Sequence, residues 1–498
     1  MLNYWQSHQE YLRSLHEAKI SFDSSQRLRL QTELAQAREK LRLLNLDSVM
    51  IYLEPFYSNI GRPASNQVQI IRSLILFFLI SANSGSYGLT AWTVRLRNDP
   101  VLAALIGCRT DSLPPLGSYF DLMDRLWLFR DKDPYSRSKL FTSGRNTSKP
   151  DKPEKKGQKA AERHKDIAKK IASRLESGRD ILFNFEAVLQ NIFLIAAVRP
   201  SVQKGLIPQQ GLIVSGDGTC VHTHSNPFGK RFQGCPFSDS CVSHPDCLRH
   251  YSDPDAAFGW DSDLNQYFFG YTLYHLDYHN PELKVDLPLL FRFTSAARHD
   301  SVNGLIALHE LRKHAPDISI GSICLDSAND NYPTYELLQK WGIKPFIDLN
   351  SKRGRPASVP DSIRIDKNGT PICSAGHRMV CWGYDRSKHS IKWRCPYVLG
   401  RVTSCSCPCS DSSYGRTIHT KTEWDIRLYT PVPRGTKEWK TTYNNRTSTE
   451  RINNRILNHY RLHSMMIHTK KHYSFMTMII GICIHLDAWY KMSRILRL

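Results

Sequence analysis

Two short apolar runs that each lead into an aspartate constrain the fold of this chain most. GLIVSGDGT contains Asp217 and ISIGSICLD ends at Asp326, and small or polar residues follow each aspartate. Runs of this kind predict buried strands, and we expect each strand to end at its aspartate. Helical patterns such as HDSVNGLIALHELRKH and TYELLQKW separate the strand-like runs. Strands that alternate with helices predict an α/β fold with parallel strands.

Further strand-like runs cover residues 267–277 and 287–294, and KPFIDLN follows the second aspartate. The helix that follows residues 287–294 would take Asp300 or Ser301 as its N-cap. His299 and Asp300 also follow a strand directly, so they lie where they can approach the two aspartates. Helix capping by Asp300 is the simpler interpretation of the two.

The composition and the residue patterns along the chain predict five regions. Residues 1–129 are expected to form a helical N-terminal domain, and residues 130–180 a basic linker whose second half is helical. Residues 181–350 would form the first part of the α/β core, 351–430 a cysteine-rich insertion, and 431–498 C-terminal helices that complete the core. For the N-terminal domain, helix-turn-helix-like DNA binding and helical packing without DNA contact both remain open.

The formal net charge of +21 favours a polyanionic partner. Two segments, 145–174 and 446–498, each carry a net charge of +7 and predict two basic surfaces. Nucleic acid is the leading candidate partner, and an anionic membrane surface is the alternative. The apolar runs 70–80 and 475–486 are too short or too interrupted to span a bilayer.

Cysteine usage and the N-terminus predict the compartment. The polar stretch after Met1 does not resemble a signal peptide, so we expect a cytoplasmic protein. The thirteen cysteines are an odd number, which argues for reduced thiols rather than a disulfide framework.

A third acid, Glu450, stands alone in the basic stretch YNNRTSTERINNRI. Thr447 and Glu450 have the spacing of a helix capping box. Together with Asp217 and Asp326, however, Glu450 would complete a set of three carboxylates able to hold two divalent ions. Mg²⁺ prefers carboxylate, water and phosphate oxygens. Asp330 is a second choice for the second acid.

The spacing Tyr443-x2-Arg446-x3-Glu450 resembles most of the Y-x2-R-x3-E-x6-K signature of DDE transposases of the insertion-sequence-4 superfamily. GDGT and LDSAND resemble the two aspartate motifs of that family. The segment from GRPASNQVQ to LAALIG resembles its helical N-terminal domain. The chain departs from the signature at Leu457, where the family has lysine, and Arg455 and Arg461 are the nearest basic residues.

The resemblance covers nearly the whole chain. It implies a ribonuclease-H-like core and Mg²⁺- or Mn²⁺-dependent cleavage and transfer of the DNA strands of a bacterial insertion sequence. Asp217, Asp326 and Glu450 would hold two metal ions, and Tyr443, Arg446 and Arg455 would contact DNA. It also implies a homo-oligomer that binds terminal inverted repeats and target DNA and is associated with the nucleoid. A non-enzymatic DNA-binding protein derived from a transposase is the alternative. A zinc-dependent nuclease or RNA-binding protein is a third interpretation that rests on charge and cysteines alone.

Two groups of cysteines and histidines have spacings that allow a structural zinc site. The first group comprises Cys235, Cys241 and Cys247 with His222, His224, His244 and His250. The second comprises Cys373, His377, Cys381, Cys395, Cys405, Cys407 and Cys409. The second group lacks the spacing of a standard zinc finger, and reduced, unligated thiols remain an alternative for both groups.

Overall fold

A computed structural model describes most of the chain. The described residues are 2, 4–58, 60–61, 64–81, 88–127, 140–142, 168–178, 184–228, 230–231, 248–261, 264–350, 359–406 and 409–495. Most of the expected basic linker therefore lies outside the described residues. Within them the chain is a mixed α/β protein, which confirms the predicted class.

The described residues before 128 are helical, as the sequence predicts. The helices are α1 (His8–Ser21), α2 (Ser24–Gln31), α3 (Ala35–Leu43), α4 (Met50–Leu53), α5 (Gln67–Ser81), α6 (Leu89–Arg97), α7 (Pro100–Leu105) and α8 (Leu116–Trp127). The apolar α5 is buried around nearly its whole circumference. Next come β1 (Leu140–Thr142), helix α9 (described over 168–176), α10 (Asn184–Phe193) and α11 (Arg199–Gln203).

The main sheet has the strand order β7-β6-β2-β8-β9. Its strands are β2 (Leu212–His222), β6 (Gln266–Asn280), β7 (Val285–Ser295), β8 (Ile320–Leu325) and β9 (Lys344–Ile347). The strands β2, β8 and β9 run parallel, and β6 is antiparallel to both β2 and β7. β5 (Ala257–Asp261) pairs with the first residues of β6, and the short β3 (Lys230–Arg231) and β4 (Leu248–His250) pair with each other.

The strand β2 does not end at Asp217, contrary to the prediction. It continues to His222, because its antiparallel pairing with β6 extends as far as His222 opposite Gly270. Its parallel pairing with β8, in contrast, stops at Ser215 opposite Cys324. Asp217 therefore lies just beyond the end of the parallel part of the sheet, which is where ligands bind in α/β folds.

The remaining helices are α12 (Asp300–His314), α13 (Tyr332–Lys340), α14 (Lys437–Tyr443), α15 (Thr447–Asn454) and α16 (Thr469–Ile495). α16 packs on β7 and also against α3, α5, α8 and α10. One continuous apolar cluster therefore joins the N-terminal helices, the sheet and α16. No helix in the described part of the chain is long and apolar enough to cross a membrane.

A second, smaller sheet follows β9 in the chain. It consists of β10 (Val380–Asp385), β11 (Ser390–Arg394) and β12 (Thr417–Lys421), all antiparallel. It has an apolar cluster of its own, which includes Cys373, Ile391, Trp393 and Tyr429. The cysteine-rich region that is predicted to be an insertion thus has an apolar core separate from that of the main sheet.

Candidate active site

Asp217 lies in the middle of β2, with a glycine on either side. Its side chain is 17% exposed, and its Oδ1 accepts a hydrogen bond from the Gly218 amide at 3.0 Å. A Cβ atom at Gly216 would lie 2.9 Å from side-chain atoms of Leu276, Leu325 and Tyr274. The glycine therefore permits close packing directly beside the aspartate.

Asp326 follows β8 and begins a short 3-10 helix (Ser327–Asn329), as the strand-end pattern predicts. Its Oδ1 accepts hydrogen bonds from the Ala328 amide at 3.2 Å and from Asn329 Nδ2 at 2.8 Å. These bonds fix the carboxylate at the end of the strand adjacent to β2.

Asp330, the second choice for this acid, is held by contacts within the protein that leave it little access to a ligand. It is fully buried, and its Oδ2 accepts a hydrogen bond from the Asn350 amide at 3.0 Å. The same oxygen lies 3.3 Å from the Arg427 guanidinium. Asp326, which has no such ion pair with Arg427, is therefore the better candidate for a ligand-binding acid.

Arg446 connects Asp217 to Glu450. Its Nη2 lies 3.6 Å from Asp217 Oδ2, and its Nη1 lies 3.3 Å from Glu450 Oε1. The Thr449 hydroxyl also approaches Asp217 Oδ2, at 3.4 Å. The Glu450 side chain is 65% exposed. The contact that links it to Asp217 in this structure is made by the Arg446 guanidinium, which lies near both carboxylates.

The predicted capping box at Thr447 and Glu450 is wrong. The helix α15 continues from a 3-10 turn (Asn444–Arg446) and from α14, and Arg446 at its N-cap makes no side-chain cap. The Thr447 hydroxyl instead donates to the Asn444 carbonyl at 2.9 Å. Because the preceding turns already provide acceptors for the first amides of α15, Glu450 is not required as a cap.

Tyr443 lies at the end of α14, where its ring is stacked on Trp439 with a centroid distance of 4.6 Å. Burial raises the pKa of Tyr443 to about 12, with Arg446 acting in the opposite direction and Asp348 and Asp326 adding to the increase. The phenol is therefore close enough to sense these charges, and it stays protonated at neutral pH.

The Asp217 carboxylate is costly to ionise even though the Arg446 guanidinium lies beside it. Burial, and then the negative charge of Asp326, raise the pKa of Asp217 to about 6, although Arg446 acts to lower it. A buried carboxylate beside a second carboxylate is costly to ionise. A divalent cation would relieve this cost.

Asp300 is a further acid near this site. It is the first residue of α12, and the N-cap is His299, whose Nδ1 accepts from the Ser301 amide at 3.2 Å. The prediction of Asp300 or Ser301 as N-cap is therefore wrong, because the imidazole has taken that role. Burial, followed by the charges of Asp217 and Asp326, raises the pKa of Asp300 to about 7.

Asp348, which sequence reasoning missed, directly follows β9. Its side chain accepts a hydrogen bond from the Leu349 amide at 2.9 Å, and the residue is exposed. An aspartate directly after an apolar run predicts a site residue at Asp326, and the run that ends in Phe346 and Ile347 is followed by Asp348 in the same way. The three parallel strands thus have aspartates at one edge of the sheet: Asp217, Asp326 and Asp348.

Arg455, one of the two basic residues nearest to the position of the family lysine, is paired away from the carboxylates. Arg455 lies on a π-helical turn (Arg455–His459) and forms an ion pair with Asp487 of α16, which also accepts from the Tyr460 hydroxyl at 2.6 Å. Leu457 is 9% exposed and belongs to the main apolar cluster. The position of the family lysine is therefore part of the core in this chain.

The positive charge of segment 446–498 is partly neutralised by ion pairs. Besides Arg446 and Arg455, the cations with carboxylate partners are Arg451 with Asp286, Lys470 with Glu186, and Lys471 with Asp124. At least five of the nine cations of this segment are therefore held by acids of the same chain, which reduces the basic surface that the sequence predicted.

The structure describes five of the six cysteines of the second predicted zinc group, and Cys373, Cys381, Cys395 and Cys409 form no disulfide bond. Cys373 and Cys395 are buried, and Cys381, Cys405 and Cys409 are partly buried. Cys407 lies outside the described residues, and the Cys373 amide donates to the His377 carbonyl at 2.9 Å. Cys373 and Cys381 take part in the apolar cluster of the small sheet.

The first predicted zinc group is described only in part. Cys235, Cys241, Cys247 and His244 lie outside the described residues, and so does the side chain of His250. The His222 ring is stacked on Phe268 at 4.9 Å, and its Nε2 lies 3.7 Å from Asp261. His224 Nε2 lies 3.3 Å from the His463 carbonyl oxygen.

Within the described ranges, no group of three or more His, Cys, Asp or Glu side chains is arranged to hold a metal ion. Glu450, turned toward Arg446, does not join the two aspartates directly. The donor chemistry at Asp217 and Asp326 nevertheless suits a hard cation, because both offer carboxylate oxygens and the pKa of Asp217 is raised by burial and then by the charge of Asp326. The chain matches no protein-family model and no curated protein.

Proposed function

We propose that this chain is a DDE transposase that cleaves and transfers DNA strands of an insertion sequence with Mg²⁺ or Mn²⁺. The observation that carries the proposal is the connection made by Arg446. It joins Asp217 of the sheet to Glu450 of α15, next to Asp326, within the Tyr443–Arg446–Glu450 spacing of the family that the sequence resembles.

The topology supports a ribonuclease-H-like core. Such a core has its first strand in the middle, with two strands parallel to it on one side and an antiparallel strand next to it on the other, and the order β7-β6-β2-β8-β9 agrees with this arrangement. The small sheet with its own apolar cluster lies between β9 and α14, where the cysteine-rich insertion is expected.

Asp217, Asp326 and Glu450 would hold the metal ions. Two such ions, when bound, activate the attacking oxygen and stabilise the leaving oxygen of a phosphodiester. For Glu450 to join the aspartates, its side chain has to leave Arg446 or move together with it, because the guanidinium now lies between the carboxylates.

Arg446 and Tyr443 would position the DNA strand. A guanidinium has the planar donor geometry that phosphate oxygens need, and that of Arg446 is 23% exposed. Tyr443 is held by Trp439 on one face, and its protonated hydroxyl can donate to a phosphate. Thr449 would keep Asp217 oriented through its hydroxyl.

Double-stranded DNA, as terminal inverted repeats and target, is the partner that we propose. The net charge of +21 supports a polyanion, although part of the C-terminal positive charge is paired within the chain. A homo-oligomer assembled on DNA, and a location at the bacterial nucleoid, follow from the same proposal. Structural zinc at the second cysteine group is a further part of it.

Strand cleavage tests the proposal. The purified full-length protein is incubated with Mg²⁺ and a plasmid that carries its gene with the flanking DNA, and the new 3′ ends are mapped. We expect defined ends that bracket the gene, and we expect Asp217→Ala, Asp326→Ala and Glu450→Ala to abolish them while DNA binding persists. The matched control is Asp317→Ala, an exposed acid paired with Arg199. Cleavage that survives all three substitutions would overturn the assignment.

Leu457 favours the second candidate, a DNA-binding protein that derives from a transposase and does not cut. The family lysine is replaced by a core residue, and the Arg455 side chain is bound to Asp487. The same experiment separates the two candidates, because this alternative predicts DNA binding by the wild-type protein without new 3′ ends under any divalent ion.

A further inference from the structure

Three aromatic side chains form an exposed patch on the hairpin that β5 makes with the first residues of β6. Phe258 and Trp260 are two residues apart in β5, and Trp260 lies opposite Tyr267 of β6. Both relations place side chains on the same face of an antiparallel pair. Each of the three is at least half exposed, and the ring centroids of Trp260 and Tyr267 lie 4.9 Å apart. These three residues are called the aromatic patch below.

The hairpin extends past the strands beside it, so the sheet does not cover the aromatic patch. β2 pairs with β6 as far as Gly270, and β7 pairs with β6 from Tyr271 onward. The opposite face of the hairpin packs inward, since Phe268 is buried and its ring stacks on His222 at 4.9 Å. None of the three patch residues belongs to an apolar cluster of the described residues. The described part of the chain therefore leaves much of these three rings in water.

The strand β5 is also an edge strand. Among the described strands it pairs only with β6, and this pairing has no bulge. Its sequence, AFGWD, carries neither lysine nor proline, which are residues that commonly protect an exposed edge. An edge of this kind beside exposed aromatic rings is suited to pairing with another strand.

The local charge decides which partner fits the hairpin. Residues 251–283 contain six acids and no lysine or arginine, in a chain whose net charge is +21. Protein surfaces that stack aromatic rings on nucleic-acid bases also supply cations for the phosphates, so DNA is a poor match for this hairpin. Two copies of the chain repel each other through their net charge. A contact made through a stretch without lysine or arginine keeps this repulsion small.

We propose that the aromatic patch and the open edge of β5 bind a second copy of this chain, with the two β5 strands antiparallel about a two-fold axis at Gly259. In this register, Phe258 of each copy lies opposite Trp260 of the other. Asp261 lies opposite Ala257, so no acid of β5 opposes another acid. The inference does not rest on the proposed cleavage chemistry, because it assigns a surface through which copies associate without DNA.

The size of the aromatic patch determines how tight this dimer is. Since an aromatic side chain has about 150–250 Å² of surface, the exposed parts of the three side chains come to about 400 Å² in each copy. A dimer would bury about 800 Å² of patch surface in total, to which the paired strand edges add. Stable, specific interfaces bury about 1,200–2,000 Å² in total. The dimer is therefore weak and dissociates on dilution.

Sedimentation equilibrium of the full-length protein without DNA, from about 1 to about 100 µM, tests the inference. We expect a reversible equilibrium between monomer and dimer. Trp260→Ser removes a central ring and Phe258→Lys places a charge at the edge, so each should weaken the dimer about tenfold or more. The matched control is Trp382→Ser in β10 of the small sheet, because Trp382 and Trp260 are both 51% exposed. This control should leave the association unchanged.

Hydrogen exchange measured by mass spectrometry locates the contact. Amides of residues 257–261 should exchange more slowly at about 100 µM than at about 1 µM in the wild-type protein, and this difference should be absent in Trp260→Ser. Far-ultraviolet circular dichroism of both variants shows whether each is folded.

Three outcomes would overturn the inference. One is a wild-type protein that is monomeric over the whole concentration range, and another is a dimer that both Trp260→Ser and Phe258→Lys leave intact. The third is a Trp260→Ser protein with wild-type association and lost DNA binding, which would assign the aromatic patch to DNA. Strand cleavage is measured separately, so the failure of one proposal leaves the other standing.

Discussion

Asp217→Asn should make the protein more stable when divalent ions are absent. In the wild-type chain, the Asp217 carboxylate is buried beside Asp326, and these two effects raise its pKa from 3.8 to about 6. At pH 7.5 the group is ionised in both the folded and the unfolded chain, so the folded state bears the whole electrostatic cost. An asparagine has nearly the same shape and no charge.

The size of the effect follows from the pKa. A tenfold change in proton affinity corresponds to about 1.4 kcal/mol, so the increase from 3.8 to about 6 corresponds to about 3 kcal/mol. The pKa of about 6 already includes the opposing effect of Arg446, so the ion pair is not subtracted again. The expected gain in the free energy of unfolding is therefore about 3 kcal/mol at pH 7.5.

The pH dependence has a definite sign. Because the folded state holds this proton more tightly than the unfolded state does, the contribution of Asp217 to stability is favourable at low pH. It is lost as the pH rises from about 4 to about 6. In Asp217→Asn this part of the pH dependence should be missing, and the gain over wild type should shrink as the pH falls below 6.

Urea denaturation in EDTA, followed by circular dichroism, measures the difference. In excess Mg²⁺ the wild-type protein should gain stability by ligand binding and the variant should not, so the gap between them should narrow. Asp317→Asn is the control and should change neither value. An Asp217→Asn protein that is no more stable than wild type in EDTA would refute the electrostatic argument.

Three further substitutions test charged and titratable groups in or beside the apolar core. Asp487→Asn should lower the free energy of unfolding by about 3 kcal/mol, since the buried Lys40 and the partly exposed Arg455 would lose their shared carboxylate. An unchanged urea midpoint would contradict this. Leu457→Lys introduces the lysine of the family that the sequence resembles but places a charge in the core, so it should lower the melting temperature without improving DNA binding. A variant as stable as wild type that binds DNA more tightly would show that position 457 is accessible. Burial lowers the pKa of His485 to about 4, so stability should fall by up to about 3 kcal/mol as the pH drops from 6.5 toward 4. His485→Gln should remove that loss, and an equal slope in both proteins would count against it.

Sequence reasoning succeeded where the signal is local. The apolar run before Asp326 ends where the strand ends, because β8 is a short parallel strand buried on both faces. The run before Asp217 has the same pattern, yet β2 continues to His222. Its extension depends on pairing with the distant β6, which no local pattern reveals.

The prediction of a capping box at Glu450 was wrong for a similar reason, because the outcome depends on residues outside the local pattern. The spacing of Thr447 and Glu450 suggested a helix start, but α14 and a 3-10 turn precede it without a break. The partner of Arg455 is Asp487, which is 32 residues away in the chain. Charge counts therefore overestimated the basic surface of segment 446–498, since they do not show which cations are paired.

If Asp217, Asp326 and Glu450 hold two divalent ions for phosphoryl transfer, anomalous diffraction from crystals of the protein with DNA and Mn²⁺ should locate both ions. We expect two peaks about 3.5–4 Å apart, bounded by Asp217 and Asp326, with Arg446 no longer between Asp217 and Glu450. Crystals in which Mn²⁺ is absent from these carboxylates while DNA is bound would contradict it.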